Sequence, residues 1–88
     1  MRRETVTIIN ERGLHARAAA KFTALAENFR AEIDVSNGRE SVSGRSIMGL
    51  LLLAAAMGSK ITIEAAGDDA AEALAALSDL VRRGFDES

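Results

Sequence analysis

The only histidine of the chain, His15, lies in "RGLHARAAAKF" (residues 12–22), three positions after Arg12 and two before Arg17. An imidazole nitrogen that is neutral near pH 7 is a competent nucleophile for in-line phosphoryl transfer. Its neighbours suit that chemistry. The alanine-rich stretch behind His15 reads as the start of a helix, whose first N–H groups, here those of Ala16 and Arg17, have no intrahelical acceptor and face an anion placed at that end. Arg17 adds a fork of donors for phosphate oxygens. Gly13 permits close backbone approach, and Ala16, Ala18, Ala19 and Ala20 keep the surroundings low enough for a large partner to reach the ring. The expectation is an imidazole open to solvent at the helix end. An ordinary N-cap or surface histidine is the competing reading.

A second segment carries chemistry of another kind. Ser46, in "GRSIMGL", has the side-chain oxygen an N-cap needs. The apolar run behind it, up to Gly58, reads as a short helix with no wholly polar face. Leu50, Leu53 and Met57 are expected to fill the core from one side, and Met48 and Leu51 to remain as an exposed apolar patch, the usual mark of a docking surface. Periodicity alone also admits a fully buried helix.

Composition excludes several functions. The 88 residues have no cysteine, which removes disulfides, thiolate nucleophiles and cysteine-containing metal sites, and a lone histidine makes no metal site by itself. No metal and no cofactor are expected. Arg2 and Arg3 could imitate the start of a signal peptide, but Glu4 and an alternating strand pattern follow in place of an unbroken apolar segment. The apolar run from Ile47 to Gly58 is short of the ~20 residues a spanning helix requires. A formal net charge of −2 and only three phenylalanines offer neither a basic face nor a stacking platform for nucleic acid.

The elements that must position His15 and Ser46 follow from periodicity. "ETVTIIN" alternates Val6 and Ile8 against Thr5 and Thr7, predicting a strand over residues 4–9. Ala18, Phe22, Leu25, Ala26 and Phe29 recur at helical spacing, predicting a helix that ends near Asn28. Ile33 and Val35, then Asn37-Gly38, then Val42 predict a hairpin with a tight type I′ turn. "KITIEA" predicts a fourth strand with Ile61, Ile63 and Ala65 inward. The last helix opens with Asp68, Asp69 and Glu72, carries Leu74, Leu77 and Val81 on one stripe, and closes with Arg82 and Arg83, charges that complement the helix dipole. Beyond Gly84, Phe85 is expected to fold back on Leu80. Strands polar on one face leave the helices only the other face to cover.

"GLHAR" ahead of an alanine-rich helix, with "SIMGL" about thirty residues later, closely resembles the HPr family, the histidine-containing phosphocarrier proteins of the phosphoenolpyruvate-dependent phosphotransferase system. The likeness covers essentially the whole chain in length, element order and both motifs. It implies an α+β open-faced sandwich, a four-stranded antiparallel sheet covered on one face by three helices (βαββαβα), as a single domain over residues 1–88. It also implies that His15 takes a phosphoryl group on Nδ1 from phosphorylated enzyme I and passes it to a histidine of an enzyme IIA component. Arg17 falls where the family balances the phosphate charge. Ser46 falls where a subset of the family is phosphorylated by an ATP-dependent HPr kinase/phosphorylase. Ala20, Ile47, Met48 and Leu51 would contribute to partner docking.

Such a protein is a substrate of other enzymes, not a catalyst, and is expected to be cytoplasmic and monomeric. Phosphohistidine is labile and transferable, whereas phosphoserine is a stable ester that changes charge beside the docking patch. One site would relay and the other would regulate. Ala18 stands where many members have proline, which suggests the nitrogen-related branch of the system. Two other functions compete: a binding module controlled by Ser46 phosphorylation alone, and an acyl carrier, whose modified serine would normally lie in an Asp-Ser-Leu context rather than Arg45-Ser46-Ile47.

Overall fold

The computed structural model describes residues 1–87, and in it the alternating segments become strands. β1 (Arg2–Thr7), β2 (Glu32–Ser36), β3 (Ser41–Ser43) and β4 (Lys60–Ala66) form one antiparallel sheet in the order β1-β4-β2-β3. Ile61, Ile63 and Ala65 of β4 are buried on its inner face, and Thr62 meets Thr5 across the outer face with their hydroxyls 2.9 Å apart. The first strand lies two residues earlier than the predicted 4–9. Ile8 remains tied to the β4 side through its N–H to Ser59 O and its carbonyl to Gly58 N–H, but the chain then turns outward and leaves Ile9 56% exposed.

Three helices, α1 (Ala16–Ala26), α2 (Ile47–Leu52) and α3 (Ala70–Arg82), cover the apolar face. Phe22 of α1, Leu50 of α2, and Leu77 and Val81 of α3 are fully buried in one cluster with Ile8, Val35 and Ile63 of the sheet layer. This is the open-faced sandwich that the order of elements implied. Gly44, at the end of β3, lies against Ile33 and Phe22 so closely that a Cβ would stand 2.5 Å from Ile33 Cγ2.

Two local expectations are corrected. Ser36 pairs with Ser41, so residues 37–40 form a four-residue loop in which Gly38 has positive φ but Asn37 does not; the turn is not type I′. Asn37 Oδ1 instead accepts from the N–H groups of Arg39 and Glu40, a side-chain turn that replaces the backbone one. The second helix stops at Leu52, well before Gly58: Ala54 takes a left-handed φ of 50° and frees Ala55 O to accept from Leu14 N–H at 2.9 Å. Met57 therefore lies in a turn and is 56% exposed instead of filling the core, while Leu50 and Leu53 are buried. Asp69 spends its carboxylate on the N–H groups of Arg30 and Ala31, 2.8 Å each, and not on its own helix. Those amides hold its carboxyl below the usual carboxylate range, the Arg30 N–H contributing most and burial opposing.

After α3 the chain turns through Gly84, Phe85 and Asp86, all with positive φ, and buries Phe85 completely. That anchor returns the last described residue, Glu87, to the start of α1. Among the described residues, no helix is long and apolar enough to cross a membrane.

Candidate functional site around His15

The loop before α1 is fixed by its own backbone. Asn10 is buried and donates from Nδ2 to Gly13 O at 2.8 Å, and Leu14 is buried. Gly13 has φ 65°, and a Cβ there would stand 2.5 Å from Ala55 O. The glycine thus allows close packing of two loops, not the close approach of a ligand. His15 follows in extended conformation as the N-cap of α1, yet its side chain makes no capping bond. Ala19 N–H donates to His15 O at 2.8 Å, while the N–H groups of Ala16, Arg17 and Ala18 have no backbone acceptor among the described residues. Three donors therefore remain at the helix end.

The ring is less open than the sequence suggested. His15 Nε2 is hydrogen-bonded to Glu87 Oε2, and the side chains of His15 and Glu87 are 17% and 20% exposed. The second carboxylate oxygen, Glu87 Oε1, accepts from Asn10 Nδ2 at 3.0 Å. The hydrogen bond from His15 is the main reason that the Glu87 carboxyl sits below its ordinary value; burial works against it, and Asn10 adds to the lowering. The ring's other nitrogen, Nδ1, has no hydrogen-bond partner among the described residues.

His15 faces a concavity of about 540 Å³ whose wall includes the cations Arg12, Arg17 and Lys21 and the acids Glu11, Asp86 and Glu87. Lys21 Nζ also donates to Phe85 O at 2.8 Å, tying the terminal turn to α1. Arg17 is exposed. Arg12, Lys21, Asn10 and Glu87 were not among the sequence-derived candidates. Lys21 follows Arg17 by four residues and so shares its helix face, a readable signal, whereas Glu87 is 72 residues from His15 and nothing local announces it.

Ser46 does not line this concavity. It caps α2, its Oγ accepting from Gly49 N–H at 2.9 Å, and Gly49 lies so near that a Cβ would be 3.1 Å from that oxygen. Of the expected docking residues, Ala20 on α1 and Ile47 and Met48 on α2 are exposed, Met48 by 69%. Leu51 packs partly against the core, and Leu52, 70% exposed, is the more outward of the two.

An open sheet lies under three helices, with one histidine at the N-terminus of the first beside free amides and an arginine, an arrangement able to hold a phosphoryl group. Residues 2–83 match the family model of the PTS HPr component phosphorylation site. The chain is 48% identical over 87 residues to the phosphocarrier protein HPr of Neisseria meningitidis, covering 99% of this chain and 98% of that one. It is also 48% identical over 83 residues to the phosphocarrier protein NPr of Shewanella violacea, covering 94% and 91%. The crystal structure of HPr-C-His from Thermoanaerobacter tengcongensis superposes with a TM-score of 0.95 at 40% identity, over 100% of this chain and 99% of that one. The chain belongs to the HPr family of phosphocarriers of the phosphotransferase system.

Proposed function

We propose that His15 is the residue that carries the phosphoryl group, taking it on Nδ1 from phosphorylated enzyme I and giving it to an enzyme IIA component. The observation that carries this reading is the unpartnered Nδ1 at a helix end where the Ala16, Arg17 and Ala18 amides are free. A phosphate on that nitrogen would meet the amides first and the Arg17 guanidinium next. Ser46 is a regulatory phosphorylation site for a kinase of the HPr kinase/phosphorylase type. A phosphate there would add negative charge at the foot of α2, beside exposed Ile47 and Met48, and alter docking without touching the histidine. Ala20, Ile47, Met48 and the part-exposed Leu51 belong to the partner surface, joined by Leu52. The chain works as one domain over residues 1–88, a cytoplasmic monomer.

Mass spectrometry after incubation with phosphoenolpyruvate and enzyme I tests the main claim. One acid-labile phosphate is expected on the wild-type chain and none on His15→Ala. A labelled His15→Ala chain would overturn the assignment. Incubation with the kinase and ATP should add one acid-stable phosphate that Ser46→Ala cannot take; if Ser46 alone is ever modified, the chain is a regulatory binding module and not a relay.

A further inference from the structure

The terminal turn places a carboxylate on the far side of the imidazole from its unpartnered nitrogen. Phe85, fully buried, anchors the turn; Lys21 Nζ holds the Phe85 carbonyl; Asn10 Nδ2, held by Gly13 O, reaches Glu87 Oε1; and Glu87 Oε2 meets His15 Nε2. Each link is a hydrogen bond or a buried side chain, so the carboxylate is positioned from three elements at once. A carboxylate only accepts hydrogen bonds, so the ring nitrogen that meets it must carry the proton. In a neutral imidazole the other nitrogen then holds the lone pair.

Resting on the carrier reading of His15, we propose that Glu87 is a positioning residue for phosphoryl transfer: it fixes the proton on Nε2 and so presents Nδ1 as the nucleophile. The Nδ1 lone pair forms the new bond to phosphorus. The bond from phosphorus to the donor protein breaks, its electron pair leaving with the donor. The Nε2 proton stays where it is, and the ring becomes cationic as the N–P bond forms. Glu87 faces that developing charge across the Nε2–H, while the free amides of Ala16, Arg17 and Ala18 lie at the helix end that receives the phosphoryl oxygens. In the onward transfer the same bonds are made and broken in reverse, and the ring leaves phosphorus with its proton already on Nε2. Asn10 acts through Glu87, holding the oxygen that does not touch the ring. Orientation of a histidine by an acceptor behind it is the same device by which outer carboxylates fix the tautomer of catalytic and metal-bound histidines.

The test has one arm that needs no phosphoryl transfer. Nitrogen-15 NMR of the unphosphorylated wild-type protein, at a pH where the ring is neutral, is expected to show a single tautomer protonated on Nε2. Glu87→Ala is expected to give the mixture of a ring free in solvent, and Glu87→Gln, whose amide oxygen still accepts, to keep the single tautomer. In the second arm, kcat for phosphorylation by enzyme I should fall roughly tenfold in Glu87→Ala with KM little changed, and Glu87→Gln should recover most of it. An unchanged tautomer in Glu87→Ala, or transfer as fast as or faster than wild type, overturns the proposal. A wild-type chain that takes no phosphate overturns the carrier reading instead, and is distinguished by leaving the tautomer result intact.

Discussion

Gly13 and Ala55 are in backbone contact: a Cβ on Gly13 would stand 2.5 Å from Ala55 O, the same oxygen that accepts from Leu14 N–H at 2.9 Å. The segment after α2 thereby sets the height of the loop that carries His15. The His15 loop and the second helix, remote in sequence, are built as one piece.

Gly13→Ala should therefore damage both stability and the site. The left-handed φ alone costs a non-glycine residue about 1–2 kcal/mol, and the clash adds to it because the neighbour is backbone and cannot rotate away. A urea unfolding midpoint equal to wild type would contradict this, as would unchanged phosphorylation by enzyme I.

Arg45, next to Ser46, donates to the carbonyls of Ala26, Phe29 and Ala31 and so closes the end of α1. Arg45→Met should cost about 1.5–3 kcal/mol, the range for hydrogen bonds to a charged group. Arg45→Lys should recover only part, since one ammonium cannot span the carbonyls a planar guanidinium reaches. Denaturant unfolding of the two variants decides it; full recovery by lysine would mean that charge, not geometry, is what the site uses.

Asp69 makes stability depend on pH in a defined direction. Its folded-state pKa is below the unfolded value of 3.8, chiefly through the Arg30 N–H, so its contribution is complete above that value and disappears as pH falls through the lower folded one. The urea midpoint of the wild-type chain should drop across that acid range. Asp69→Asn should start lower at neutral pH and show a shallower acid decline. Parallel curves for the two proteins would refute the assignment.

The two faces of α2 should separate folding from docking. Met48→Asp, at a residue 69% exposed, should leave stability within about 0.5 kcal/mol of wild type while raising the KM for phosphorylation by enzyme I. Leu50→Ala, at a fully buried residue, should cost about 2–5 kcal/mol. If Met48→Asp transfers phosphate like wild type, the patch has no part in docking to enzyme I.

The sheet and helices were legible because burial imposes its period on the chain: Ile61, Ile63 and Ala65 at every second position, Ala18, Phe22 and Ala26 at every fourth. His15 and Ser46 were legible because each stands at a helix start, where local sequence decides the cap. What escaped was decided by partners far along the chain. Met57 was misplaced because Ala55 O goes to Leu14 and Gly58 N–H to Ile8, and those bonds lie beyond a helix that its own residues would have continued. Asp69 stands at the start of the last helix as its charge suggested, but the Arg30 and Ala31 amides it binds are too far along the chain to be read locally. Nothing local in the sequence singles out Glu87, which meets His15 only because Phe85 is buried and the terminal turn brings it there.

A carrier must release what it accepts, and onward transfer is the most direct measurement of that. The chain phosphorylated on His15, freed of enzyme I and phosphoenolpyruvate, is mixed with one equivalent of enzyme IIA, and both proteins are weighed by mass spectrometry over time. The phosphoryl mass should leave this chain and appear on enzyme IIA without matching release of inorganic phosphate, with Arg17→Ala slowing the exchange. Phosphate that stays on His15, or that passes to water and never to the acceptor, would contradict a relay through this histidine.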